Sequence, residues 1–161
     1  IVQASRFVSE GFVVGALLIV LGGALRSYYV EDVKEQWREA AAYLEEHVTE
    51  DDVLAFTAES GSRGGAYDIQ KAIHWYYAGE AEECVLWRVR EGPEAFAGEM
   101  AQCVGGAGHL WLVLWEYAPD PVSVEDYFDG DNDYGVRTVG KEGFLGLTLF
   151  QFEVSTSEVG G

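Results

Sequence analysis

The sequence predicts an α/β domain carried on one N-terminal transmembrane helix. Residues 11–25, GFVVGALLIVLGGAL, carry no charge. Beyond them, apolar runs of strand length alternate with patterns of helical period: VLAFTA, DIQKAIHWYYAG, CVLWRV, PEAFAGEMAQCV, LWLVLW. Strand, helix, strand, helix, strand with short connections implies a small Rossmann-like, mostly parallel sheet with right-handed crossovers and helices on both faces. Two more strand candidates near the end are expected to close an antiparallel edge. The expected domains are 1–30 (transmembrane helix and flanks), 31–154 (α/β domain) and 155–161 (frayed tail).

A bilayer core needs about 20 apolar residues. The uncharged run falls slightly short, and its flanks extend it: Phe7 and Val8 before Glu10, then Ser27, Tyr28, Tyr29 and Val30 after Arg26. Arg26 can snorkel to the headgroups, and Tyr28 and Tyr29 suit the interface. A cleaved signal peptide and a buried helix are the alternatives. Gly11, Gly15 and Gly22 would let a second helix approach closely, which makes them the membrane-helix packing candidates. The chain begins with Ile, so it reads as processed, trimmed or partly represented.

Residues 31–48 place Val33, Trp37, Ala40, Ala41, Leu44 and Val48 at helical spacing. Val53–Ala58 reads as a buried strand and ESGSRGG, 59–65, as a connector. Asp68 is the expected cap of a helix with Ile69, Ala72, Ile73 and Tyr76 inward, stopped by Gly79. Cys84–Val89 is the second strand. Pro93 opens a helix that Gly105 and Gly106 end. Leu110–Trp115 is the purest apolar run, hence a central strand covered on both faces. Ser123 and Asp126 form a capping pattern over a short helix. The last strands are expected at 136–139 and 146–154, separated by residues 140–143, GKEG.

The formal net charge is −18, and the acidity lies wholly beyond residue 30, because the only charges before it, Arg6, Glu10 and Arg26, are positive on balance. Such a domain repels nucleic acid and anionic lipid, so no nucleic-acid partner is expected. Lys and Arg near the span do not decide its orientation. Cys84 and Cys103 can pair in an extracytoplasmic domain, or stay as two small buried thiols.

Candidate sites are few. Asp129, Asp131 and Asp133 alternate as in a calcium loop, but Tyr134 and Gly140 stand where that loop wants Gly and Glu, so a solvated acidic turn is the stronger reading. Residues 59–65 follow the first strand, where open α/β sheets bind ligands. They lack dinucleotide spacing and a phosphate-loop Lys, and Arg63 is their one cation. His47, His74 and His109 have no ligand-spaced partners. Ser60 and Ser62 lack a nucleophile-elbow context. No catalytic residue and no cofactor is assigned. His74, Trp75, Tyr76 and Tyr77 form an aromatic cluster wider than one buried stripe needs, and His74, Trp75 and Tyr77 are the expected partner contacts.

The succession KEQWREAAAYLEEHVTEDDVL, AIHWYYAGE, HLWLVLWEY and GFLGLTLFQFEV, following a membrane helix and paired Tyr, resembles the C-terminal end of the protein-mannosyltransferase-like integral membrane glycosyltransferases that use polyprenyl-phosphate-linked sugars. The matching residues are Trp37, Arg38, Glu39, Ala40, Ala41 and Tyr43, with Asp52 before the first strand. The resemblance spans nearly the whole chain through architectural motifs. It implies a domain outside the cytoplasm. In that group the catalytic acids lie in a loop near the first spans, so no residue here inherits a catalytic role. Three functions are compatible: a non-catalytic extracytoplasmic domain of a glycosyltransferase-like protein, a single-span accessory subunit of a larger membrane complex (for example an energy-transducing or photosynthetic one), and a small-ligand or acceptor-binding module. Membrane lipid and other membrane-spanning chains are the expected partners.

Overall fold

The computed structural model describes residues 19–22, 36–105, 108–117, 122–129 and 132–155. The chain divides into two compact units, Ile1–Lys34 and Glu35–Gly161. In the first, residues 19–22 are helical and exposed. Among the described residues no helix is long and apolar enough to cross a membrane. The expected span over 11–25, apart from 19–22, lies outside them, as do Gly11, Gly15, Arg26, Tyr28 and Tyr29.

The second unit is a mixed α/β layer structure. Helix α1 (Trp37–His47) precedes β1 (Val53–Ala58), α2 (Arg63–His74), β2 (Glu82–Val85), a 3-10 turn (Arg88–Glu91), α3 (Pro93–Val104), β3 (Gly108–Trp115), α4 (Val124–Phe128), β4 (Val136–Phe144) and β5 (Leu147–Val154). The sheet order is β2-β1-β3-β5-β4. β1 pairs in parallel with β2 and β3, whereas β5 runs antiparallel to both β3 and β4. The sheet is therefore evenly mixed rather than mostly parallel. The expected antiparallel edge exists, and its inner strand β5 also joins the central strand.

Every residue of β1 is buried, as expected of a strand covered on both faces. β3 shows how the two faces are filled. Leu110, Leu112 and Leu114 enter one core with Phe96, Met100, Phe128, Phe150 and Phe152 from α3, α4 and β5. Trp111 and Val113 point the other way, into a core with Ala40, Ala41, Leu44, Ile69 and Ile73 from α1 and α2. The period-2 alternation of side chains makes both cores from one apolar run.

Several boundaries differ from expectation. α2 begins five residues before Asp68, because the Ser62 hydroxyl accepts from Gly65 N at 3.1 Å and so caps it. The second strand ends at Val85, and the chain then tightens into the 3-10 turn. β4 runs straight through residues 140–143, with a register shift between Thr138 and Gly140. The reversal falls at Leu145 and Gly146, where Gly146 has φ 75°, a left-handed conformation that favours glycine.

The crossovers set the functional geometry. α2 carries the chain from β1 to β2 over one face. α3 carries it back past β1 to β3 over the other. The direction of winding thus reverses between β1 and β3, which is where ligands bind in open α/β sheets.

Candidate functional site

At the carboxyl ends of β1 and β3 lies a crevice of about 400 Å³. Its polar wall is Glu59, Glu116, Ser123, Glu125 and Lys141, and its apolar wall includes Leu114, Val124 and Phe150. Glu59 is only 4% exposed. Its amide extends the β1–β3 ladder by donating to Trp115 O at 3.1 Å, and its carbonyl accepts from Arg90 Nε at 2.6 Å. Glu116 accepts the Thr148 hydroxyl, and Lys141 donates to Glu125. Ser123 caps α4, accepting from Asp126 N at 3.3 Å. These groups line a volume of small-ligand size. The arrangement can hold hydrogen-bond donors of a polar ligand against an apolar wall.

The connector 59–65 is shaped by its own residues. Gly61, at φ 64°, turns the chain so closely under Trp87 that a Cβ there would lie 3.3 Å from its carbonyl oxygen. Arg63 then lies over the Trp87 ring, 3.9 Å from its centroid. Below this turn Glu99, 9% exposed, accepts from the amides of Trp87 and Arg88 at 3.0 and 2.9 Å. Sequence reasoning missed Glu99. The signal was a carboxylate inside the apolar stripe of PEAFAGEMAQCV.

The second candidate surface lies near the start of β2. Trp75 is 83% exposed, and Tyr76 and Tyr67 are about half exposed. With Gln70, Lys71 and His74, Trp75 lines an open groove of about 710 Å³. Glu83 on β2 accepts from Gln70 Nε2 and His74 Nε2, both at 2.8 Å. Arg38 lies 5.4 Å over the Tyr76 ring. Tyr77 corrects the expectation. Its side chain is 5% exposed and belongs to the α1–α2 core, so it is not a surface contact. The amides of Tyr76 and Tyr77 both donate to Ile73 O, at 2.8 and 2.9 Å, and this turn carries Tyr77 inward while leaving Trp75 outside. Burial, followed by the nearby carboxylates of Glu83, Glu45 and Asp52, raises the Tyr77 phenol above its ordinary value.

Cys84 and Cys103 form a disulfide between β2 and α3, with Cα atoms 6.0 Å apart. Asp129 and Asp133 are exposed, and Asp131 lies outside the described residues. Between them Asn132 closes a turn, donating from Nδ2 to Val136 O at 2.8 Å and accepting from Tyr134 N at 3.1 Å. Among the described residues no group of three or more His, Cys, Asp or Glu is placed to hold a metal ion. Comparison with family models, curated proteins and solved structures finds no match to this chain.

Proposed function

We propose that residues 35–161 are a non-catalytic, extracytoplasmic domain of a glycosyltransferase-like membrane protein, acting through protein contacts at Trp75. The observation that carries this reading is the 83% exposure of Trp75 beside the half-exposed Tyr76. Exposed tryptophans of this kind are typical anchors of interface centres. Two further features support it: the Cys84–Cys103 disulfide suits an oxidising compartment, and the Trp37–Tyr43 motif resembles the membrane glycosyltransferase group.

The full chain, purified in mild detergent, should bring other membrane-spanning chains with it. Trp75→Ala should weaken that association about 30-fold, the equivalent of a 2 kcal/mol hot spot, while leaving thermal unfolding unchanged. Undiminished association would refute Trp75 as the anchor. Glycosyl transfer lost on mutating Glu59 or Glu116 would refute a non-catalytic role. In the accessory-subunit reading, Gly15→Leu and Gly22→Leu should disrupt the association instead. The crevice at the β1–β3 reversal favours a second reading, a small polar ligand or acceptor site. Glu116→Gln would then weaken ligand binding and leave the Trp75-dependent association intact.

A further inference from the structure

The carboxyl end of the parallel half-sheet sets two acidic side chains against each other. β1 and β3 pair from Val53 with Leu110 to Ala58 with Trp115. The bond from Glu59 N to Trp115 O carries the ladder one residue further, so Glu59 stands opposite Glu116. Paired residues share a face of the sheet, and side chains alternate along each strand. Thr57 and Glu59 therefore share the face of Leu114 and Glu116, which is the face of the core holding Ala55, Leu112 and Phe150. Both glutamates and Leu114 line the crevice. Thr57, paired with Leu114 one step below, has no exposed surface, and its hydroxyl has no hydrogen-bond partner among the described residues.

We propose that the crevice takes a small organic cation, an ammonium on an apolar body, with the charge seated between Glu59 and Glu116. The inference rests on the crevice as a small-ligand site, the second reading above, and names the class of that ligand. Like charges directly opposite on neighbouring strands destabilise a sheet, and a cation between them reverses the sign of that interaction. Burial raises the gain, because a carboxylate that has lost hydration is attracted more strongly by a positive group. Glu59 is 4% exposed, and Glu116 accepts a neutral hydroxyl, that of Thr148. The lining carries three carboxylates against one ammonium. That ammonium, on Lys141, is paired to Glu125, and both side chains are about half exposed. Arg90 meets Glu59 at its backbone carbonyl. The floor is therefore a region of negative field, which draws cations and repels a phosphate-bearing ligand. The facing wall of Leu114, Val122, Val124 and Phe150 offers a hydrocarbon body its place. A bare metal ion gains nothing from that wall, and among the described residues no three acidic, His or Cys groups are placed to hold one.

The test titrates phenethylamine into the full chain in mild detergent by calorimetry, against a protein-free detergent blank. The comparison ligands are 2-phenylethanol, phenylacetate, methyl mannoside and calcium chloride. Phenethylamine should bind about tenfold more tightly than 2-phenylethanol, phenylacetate should not bind, and the amine's affinity should fall as salt is raised. Glu116→Gln should weaken the amine about tenfold, whereas Lys141→Met, which removes competing positive charge, should tighten it several-fold. A merely structural role for these side chains would not give opposite signs. Melting temperatures are checked for both variants, and Lys141→Met, on an exposed edge, still decides if Glu116→Gln fails to fold. Equal affinity for 2-phenylethanol or methyl mannoside, with the same dependence on Glu116, would keep the crevice as a ligand site and overturn the cation. Calcium bound in preference to the amine, again through Glu116, would overturn it in favour of a metal site. Binding of none of these probes would overturn the ligand-site reading and this inference together.

Discussion

Leu112 has no exposed surface and lies on the central strand, paired to Ala55 of β1 and Phe150 of β5. Truncation to Ala should cost about 2–5 kcal/mol, because the rigid sheet on both sides cannot collapse onto the cavity. Chemical denaturation would show it as a lower midpoint with an unchanged slope. Leu112 was legible in sequence, since six consecutive apolar residues can only be a covered strand here. Tyr77 was not: the run WYY has no period, and which ring turns inward is decided by the two amides that converge on Ile73 O. The buried phenol has a consequence for pH. Its folded value is raised above its ordinary 10.0, so the folded state disfavours tyrosinate. Stability is then intact below about pH 10 and falls as pH rises through the raised value. Tyr77→Phe should flatten that alkaline loss in a melting series, whereas an unchanged profile would mean another group is responsible. Glu99 also acts at this scale. Replacing it with Ala would leave the amides of Trp87 and Arg88 without their acceptor, at about 1–3 kcal/mol.

Short β2 depends on its covalent link to α3. It has four residues, none of them fully buried, and it lies at one edge of the sheet. The Cys84–Cys103 bond closes a loop with a sequence separation of 19 and ties that edge to α3. Reduction, or Cys84→Ala with Cys103→Ala, should cost about 3 kcal/mol by the loop-entropy estimate. Amide exchange should rise first in β2, and uniform exchange across all strands would show instead that the edge is held by packing alone. Elements with a full apolar signature were readable in order and kind: β1, β3, β5, α3 and the capped α4 all occur where their patterns place them. The misreadings sit at elements whose residues serve two purposes. Residues 140–143 have turn composition, yet they form an edge strand because β5 holds them in register from Val136 to Phe144. Likewise Gly64 and Gly65 read as connector, but the Ser62 cap draws them into the first turn of α2. The crevice was legible only as a place, after the first strand. Lys141 and Glu125 are brought to it by β4 and α4, which no local pattern of the sequence foretells.

At the scale of the whole molecule, the parallel half of the sheet and its antiparallel extension do different jobs. The parallel half creates the winding reversal and hence the crevice. The antiparallel extension returns β4 and β5 alongside β3 and puts the Leu145–Gly146 turn beside Gln36, so that the crevice and Gln36 share one end of the sheet. A ligand of the crevice would then approach the end of the sheet where Gln36 lies, whereas a partner at Trp75 would dock at the opposite end. The function proposed above puts this domain on the outer side of the membrane, a placement that the disulfide suits. Protease added to intact cells or spheroplasts should accordingly remove residues 36–155. Because both cores are closed by α1–α4 without lipid, digestion should begin outside the sheet and release a compact, disulfide-bonded fragment. Prior reduction should speed its further breakdown by loosening β2. Full protection from external protease, with digestion only after lysis, would reverse the orientation and make the disulfide's oxidising surroundings untenable.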